Sequence, residues 1–399
     1  MIPQKMIAGG RSGSAIREIA AFGAARAAEV GEENVFNFTI GSPSVPPPAA
    51  VTESFGRLLR TMEPAQLHGY APAPGIPAVR EKLAQRLNER FGAHYRADDL
   101  YLTSGASSAL AILAKALLSP GDEAVALAPY FMDYRAYVED QGAALREAPC
   151  QPGRFQPDLA ALAAAITEKT AFVIVNSPNN PSGAVLGEAS LRALAALLEE
   201  RQQRYGHAIY LIADEPYREL VYGGAAAPFT PLFYRNTIYC YSFSKSLSLA
   251  GERIGYLALA PELTDYDDVR AAVAGAARVL GYICVPPLFQ YLAAECGDLT
   301  ADLSVYGENR RLLTEALRGM GFACAEPEGA FYLFLRSPEE DDRAFCRRAM
   351  AYDLLFVPGS EFGCPGYVRI AYCVDTDRIR RSLPLFRRLA AEYGLTPDA

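Results

Sequence analysis

From about residue 76 onward, helical and strand-like apolar spacings alternate along the chain. Ile76, Val79, Leu83, Leu87 and Phe91 recur at steps of three and four, which predicts one amphipathic helix. Short apolar runs bounded by turn residues follow, at 100–103, 123–128, 171–175, 209–213, 237–241 and 254–260. Helical patterns, such as that over 191–198, separate most of them. Runs so uniformly apolar suit strands buried on both faces. The pattern therefore predicts an α/β fold with a mostly parallel sheet and helices on both faces.

The character changes near residue 297. Helical spacings over 302–318, 343–352 and 378–393 flank strand-like runs at 330–335 and 366–372. That arrangement predicts a smaller α+β domain. The expected division is an N-terminal segment (1–45) packing with the small domain, a large domain (46–296) and the small C-terminal domain (297–399). No repeat or low-complexity linker interrupts the chain, and Pro46-Pro47-Pro48 forms a stiff joint near its start.

Composition narrows the function. With 399 residues, 51% hydrophobic and 21% charged, the chain can bury a large core. A net charge of −8 argues against nucleic acid as a main partner, because phosphate binding needs a basic face. No apolar run reaches the length of a membrane span, so no membrane association is expected. No apolar signal core follows Met1-Ile2-Pro3-Gln4-Lys5, and a cytoplasmic location is the expectation. The eight cysteines are scattered without a C-x-x-C pair, which suits reduced core residues. His68, His94 and His207 lie too far apart in sequence to suggest a metal cluster, so no metal site is expected.

Chemistry concentrates where the apolar runs end. Ligands of open α/β sheets bind outside the carboxyl ends of the strands. After 237–241 comes Ser242-Phe243-Ser244-Lys245, with Arg253 eight positions beyond the lysine. The chain has only five lysines (5, 82, 115, 169 and 245), so Lys245 does not look like generic surface charge. A desolvated lysine loses its proton and bonds to carbonyl carbon, while an arginine holds phosphate in a two-pronged grip. Together they suggest pyridoxal phosphate, whose aldehyde takes the lysine and whose phosphate takes the arginine and hydroxyls. The competing reading is the S-x-x-K nucleophile motif of penicillin-binding proteins, but its companions S-D-N and K-T-G are absent.

Three further strand ends contribute. Thr103-Ser104-Gly105-Ala106-Ser107-Ser108 opens a helix, and its small residues allow backbone N–H groups to approach a phosphate. A serine-rich helix cap explains that segment equally well. Asn180, in Asn179-Asn180-Pro181-Ser182-Gly183, can donate to a ring oxygen, or simply make a turn. Asp214, in Asp214-Glu215-Pro216-Tyr217, ends a buried run, where a carboxylate is costly unless paired. Facing a pyridine nitrogen, it would hold that nitrogen protonated. Tyr217 could share the ring oxygen with Asn180.

N-N-P-S-G, D-E-P-Y and S-F-S-K-S-L-S-L-A-G-E-R-I-G, in that order, resemble the class I/II aminotransferases of pyridoxal phosphate fold type I, the aspartate aminotransferase-like enzymes, and the likeness covers nearly the whole chain. The resemblance implies that Lys245 bonds the cofactor and later moves the proton between Cα and C4′. It implies that Asp214 pairs with the pyridine nitrogen, and that Asn180 and Tyr217 hold the ring oxygen. Gly105, Ala106, Ser107, Ser242 and Arg253 would cradle the phosphate. Phe131, in Pro129-Tyr130-Phe131, matches the aromatic that stacks on the ring; many relatives have tryptophan there, and this chain has none. Tyr70 matches the tyrosine lent to the neighbouring subunit's phosphate, which implies a homodimer. Gly41 matches a backbone site near the substrate, and Arg369 the arginine that takes the substrate α-carboxylate. A charged residue inside the apolar run 366–372 is unusual unless it meets an anion; a structural salt bridge is the alternative.

The implied activity is transfer of an amino group from an L-amino acid to a 2-oxo acid, with 2-oxoglutarate the expected acceptor. Lys115 and Arg278 are candidates to read a distal carboxylate, although helix-surface charge explains each equally well. A β-eliminating carbon–sulfur lyase shares these motifs and is the alternative enzyme. A regulator built on an aminotransferase-like domain would need an added basic domain, for which the segment before residue 35 offers neither length nor charge.

Overall fold

The computed structural model describes Ile2, residues 4–11 and residues 15–396. Its strands are β1 (Phe36–Asn37), β2 (Leu100–Thr103), β3 (Glu123–Ala128), β4 (Ala144–Pro149), β5 (Thr170–Asn176), β6 (Tyr210–Asp214), β7 (Thr237–Ser242), β8 (Gly255–Leu259), β9 (Tyr332–Arg336), β10 (Leu354–Leu355), β11 (Val357–Pro358) and β12 (Tyr367–Ala371). Seven of them form one sheet in the order β2-β8-β7-β6-β5-β3-β4. Its pairs are parallel except the two made by β8.

Successive side chains of a strand point to opposite faces, and here both faces are covered. Val173, Val175, Leu211, Ala213 and Tyr239 join one core, while Phe172, Ile174, Ile212, Ile238 and Cys240 join another. Each such Leu or Ile contributes roughly 1.5–3 kcal/mol by leaving water. This is why the runs read as continuously apolar. β4 was not among the expected strands, and its position explains the omission. It is one edge of the sheet, only Leu145 and Ala148 of its residues are buried, and Arg146 and Glu147 interrupt its apolar pattern.

The expected helix near residue 76 spans Pro77–Phe91, with proline at its start and Gly92 in the left-handed conformation as its stop. In the C-terminal part, helices Ser304–Arg318, Asp342–Met350 and Thr376–Glu392 pack with the antiparallel sheet β11-β12-β9 around an aromatic-rich core. β1 pairs in parallel with β10, so the chain around Phe36 is tied to this part. All eight cysteines are free. Among the described residues, no helix is long and apolar enough to cross a membrane.

Candidate active site

The parallel strands deliver their ends to one edge of the large sheet. Asn176 pairs with Asp214, and Asp214 with Cys240, so the loops after β5, β6 and β7 emerge together. β8 runs back antiparallel between β7 and β2, with Gly255 opposite both Ser242 and Thr103. That register returns Arg253 to the same edge and sets it beside Gly105. The antiparallel strand thus brings the lysine loop, the arginine and the serine-rich turn to one place.

A cavity of about 380 Å³ opens there, lined by Lys245, Asp214, Asn180, Tyr217, Arg253 and Arg369 among others. Of the remaining residues expected at the site, Gly41, Ala106, Ser107, Phe131 and Ser242 also line it. Gly105 caps the helix Ala106–Leu117 without any side-chain cap. A Cβ on Gly105 would lie 2.8 Å from the Arg253 guanidinium, and its φ of +82° is itself unfavourable for other residues. The first-turn N–H groups and Arg253 therefore meet with only a glycine between them. Arg253 also donates to the Ser104 carbonyl (3.2 Å) and the Ser244 hydroxyl (3.4 Å), while Ser242 and Ser244 share a hydrogen bond of 2.7 Å.

Lys245 follows β7 on the short helix Phe243–Ser246. Its Nζ donates to the Gly41 carbonyl at 2.7 Å and lies 5.4 Å from the centre of the Phe331 ring. Burial, reinforced by the charges of Arg253 and Arg369, pulls its pKa down to about 8. Gly41 has no room for a side chain, since a Cβ would sit 1.9 Å from the Tyr332 hydroxyl.

Asp214 is the last residue of β6. Its Oδ2 accepts from the Tyr134 hydroxyl (2.5 Å) and from Asn176 Nδ2 (3.2 Å), but its buried Oδ1 has no partner. Burial pushes the carboxyl up to about 7; Glu215 adds to that and the Tyr134 bond opposes it. A half-satisfied buried carboxylate is costly. A cationic N–H donor arriving at Oδ1 would remove that cost.

Arg369 lies in the middle of β12, buried, with no carboxylate paired to it among the described residues. One guanidinium nitrogen donates to Asn180 Oδ1 (2.9 Å) and another to the Thr39 carbonyl (2.5 Å), while Nε has no partner. Its carbon lies 4.7 Å from the centres of both the Tyr332 and Phe362 rings. The salt-bridge alternative thus lacks its carboxylate. Tyr217 meets Tyr332 hydroxyl to hydroxyl at 2.9 Å.

The other expected residues lie elsewhere. Tyr70 is 98% exposed and does not line the cavity of its own chain. Lys115 and Arg278 are exposed helix residues, also away from it. Beside Phe131, the buried Tyr130 donates to Glu147 (2.6 Å) and does not line the cavity. Residues absent from the sequence expectation also converge here: Tyr332, Tyr134, Asn176, Thr39 and Asp133. Tyr134 carries a faint signal, three residues after Phe131 on the start of a helix. Tyr332 carries none, because a tyrosine in an aromatic strand reads as core.

A family model described as aminotransferase class I and II matches residues 33–383. The chain is 32% identical over 362 residues to the aspartate aminotransferase of Thermotoga maritima, covering 88% of this chain and 90% of that one. Among solved structures, an amino transferase from Eubacterium rectale superposes with a TM-score of 0.96 at 45% identity, covering 98% and 99% of the two chains. The Thermus thermophilus aspartate aminotransferase with maleate superposes with a TM-score of 0.85 at 27% identity, over 98% and 99%.

Proposed function

Because the chain belongs to the class I and II aminotransferases, we propose that this cavity holds pyridoxal phosphate and that the residues around it carry out the family's reaction. The protein is a transaminase that moves the amino group of an L-amino acid to a 2-oxo acid. The convergence of Lys245, the unpartnered Asp214 oxygen and the unpaired Arg369 guanidinium on one cavity carries the assignment of the site.

The residues present suit the cofactor. Asp214 Oδ1 is placed to accept a pyridine N–H, and the ion pair would keep that proton on the ring. The uncapped helix start at Ala106 and Ser107, with Gly105, Ser242 and Arg253, offers N–H, hydroxyl and guanidinium donors to a phosphate. Phe131 would flank the ring, and Asn180 and Tyr217 would hold its oxygen. When bound, pyridoxal phosphate supplies an aldehyde for the amino group and a ring that accepts the electron pair left at Cα.

Lys245 then acts as base and acid. Its amine is short of solvation and has cationic neighbours, so it gives up its proton more readily than a surface lysine. Positioned at the cavity, its amine would take the proton from the substrate Cα and hold it for return during the transfer. Arg369 holds the substrate α-carboxylate, using donors that the protein leaves unfilled, and so fixes the direction of the Cα–H bond. Gly41 lies beside the substrate through its carbonyl, which also orients the lysine.

The acceptor in this proposal is 2-oxoglutarate. The protein works as a cytoplasmic homodimer, divided into the segment 1–45, a large domain 46–296 and a small domain 297–399. Free cysteines suit a reducing compartment. Tyr70, Val279 and Ile283 are exposed large apolar side chains that a second copy would cover in this reading. A donor–acceptor screen tests the activity: glutamate should form from 2-oxoglutarate and an amino-acid donor. Ammonia and pyruvate released from cystathionine, with no amino transfer, would instead mark a carbon–sulfur lyase.

A further inference from the structure

Tyr332 stands between the two halves of the site. It opens β9, opposite Ala371 of β12, with its side chain buried and turned into the cavity. Its ring lies against the Arg369 guanidinium, and Phe362 covers the guanidinium at the same 4.7 Å distance. Its hydroxyl meets Tyr217 at 2.9 Å and occupies the place where a Gly41 side chain would be. One residue therefore touches the carboxylate-binding arginine, the ring-oxygen tyrosine and the turn that receives Lys245.

We propose that Tyr332 is a positioning residue with two separable parts: its ring holds the Arg369 guanidinium for the substrate carboxylate, and its hydroxyl polarises Tyr217. This rests on the reading of the cavity given above. The ring argument is steric and electrostatic. A guanidinium on a strand can rotate about its long stem, and its hydrogen bonds to Asn180 and Thr39 leave part of that freedom. Two aromatic faces fix its plane and stabilise its charge through their negative faces, so the remaining donors stay aimed at the cavity. The hydroxyl argument follows from proton count. Tyr217 has one O–H, and if that hydrogen goes to the cofactor oxygen, its bond with Tyr332 must be one in which Tyr332 donates. An accepted hydrogen bond strengthens the one donated onward.

Three substitutions separate these parts from a packing role. Tyr332→Phe keeps the ring and loses the hydroxyl. It should leave KM for donor and acceptor within about twofold but raise the pH midpoint of the bound cofactor's absorbance by roughly 0.2–0.6 unit. Phe362→Leu removes the opposite ring and touches no hydroxyl; it should raise both KM values about tenfold and leave the midpoint where it was. Tyr332→Leu should show both effects, with cofactor content unchanged. A midpoint unmoved in Tyr332→Phe, or moved equally in Phe362→Leu, overturns the hydroxyl part. Parent-like KM values in both leucine variants overturn the ring part. Lowered melting temperatures without either signature would make Tyr332 a packing residue only. If the parent itself neither binds pyridoxal phosphate nor transfers amino groups, the reading of the cavity fails first. A normal parent with unsplit variants defeats this inference alone.

Discussion

The large sheet presents polar groups where its strands end, whereas the small sheet places a cation inside a strand. Asn176, Asp214 and Ser242 are final residues of β5, β6 and β7, and Lys245 lies just beyond. Their backbones are paired and their side chains reach the cavity at that edge, where Asp214 alone of the three carries a buried charge, half-satisfied until a donor meets its free oxygen. Arg369 is the central residue of β12, flanked by Val357 and Phe334 on the neighbouring strands. Burying that charge costs several kcal/mol, partly offset by two hydrogen bonds and two aromatic faces. The difference matches two tasks. A cofactor that stays bound needs a fixed cradle, and a strand-end edge provides it. A substrate that comes and goes needs a site whose unfilled donors are satisfied only on binding.

The comparison is tested hardest at Asp214. Asp214→Asn should lower turnover about 10²-fold or more, because a neutral partner no longer favours a protonated ring nitrogen. The cofactor-free protein should respond in the opposite direction. The folded-state pKa of about 7 lies above the ordinary 3.8, so the folded chain binds this proton more tightly than the unfolded chain does. The associated stability is present at acid pH and is lost as pH rises toward 7. Asparagine has no charge to bury. Urea titration of the cofactor-free proteins should therefore find the variant more stable at pH 8, by up to roughly 4 kcal/mol, with the gap closing toward pH 4. Near-normal turnover would make Asp214 a structural carboxylate.

Arg369→Lys should act on substrate alone. Lysine keeps the charge but loses the planar fork, and KM for amino acid and oxo acid should rise together roughly 30- to 150-fold, the equivalent of about 2–3 kcal/mol. Cofactor content, read from absorbance, should not change. Normal substrate binding with easier unfolding would mean that the arginine serves the small sheet and not the ligand.

The smallest expected effect lies outside both regions. Tyr70→Phe should weaken cofactor retention by about 1.5 kcal/mol, one hydrogen bond to a charged group, measured by equilibrium dialysis. Since Tyr70 is exposed in its own chain, the effect should require the partner subunit. Mixing Tyr70→Ala with Lys245→Ala under subunit exchange should restore some activity, because one site of the mixed dimer then carries neither defect. No recovery despite exchange would place Tyr70 within its own subunit.

Legibility in the sequence follows the same division. Buried strands announce themselves as apolar runs, and the polar motifs that follow their ends are conspicuous; hence Asp214, Asn180 and Lys245. Arg369 is equally visible, as a charge that interrupts apolar residues. The edge strand β4 is hidden because solvent on its outer side admits Arg146 and Glu147. Tyr332 and Tyr134 are hidden because their rings belong to the core pattern and only their hydroxyls do polar work. The antiparallel turn of β8 is also hidden, since an apolar run carries no direction. Yet that turn brings Arg253 back to Gly105.

The central claim is that the cavity at the large-sheet edge is built around Lys245. Borohydride reduction of the cofactor-loaded protein, followed by peptide mapping, tests it most directly. The expected result is a pyridoxyl mass on the peptide containing Lys245 and on no other. The same mass on Lys115 or Lys169, with Lys245 unmodified, would contradict the claim.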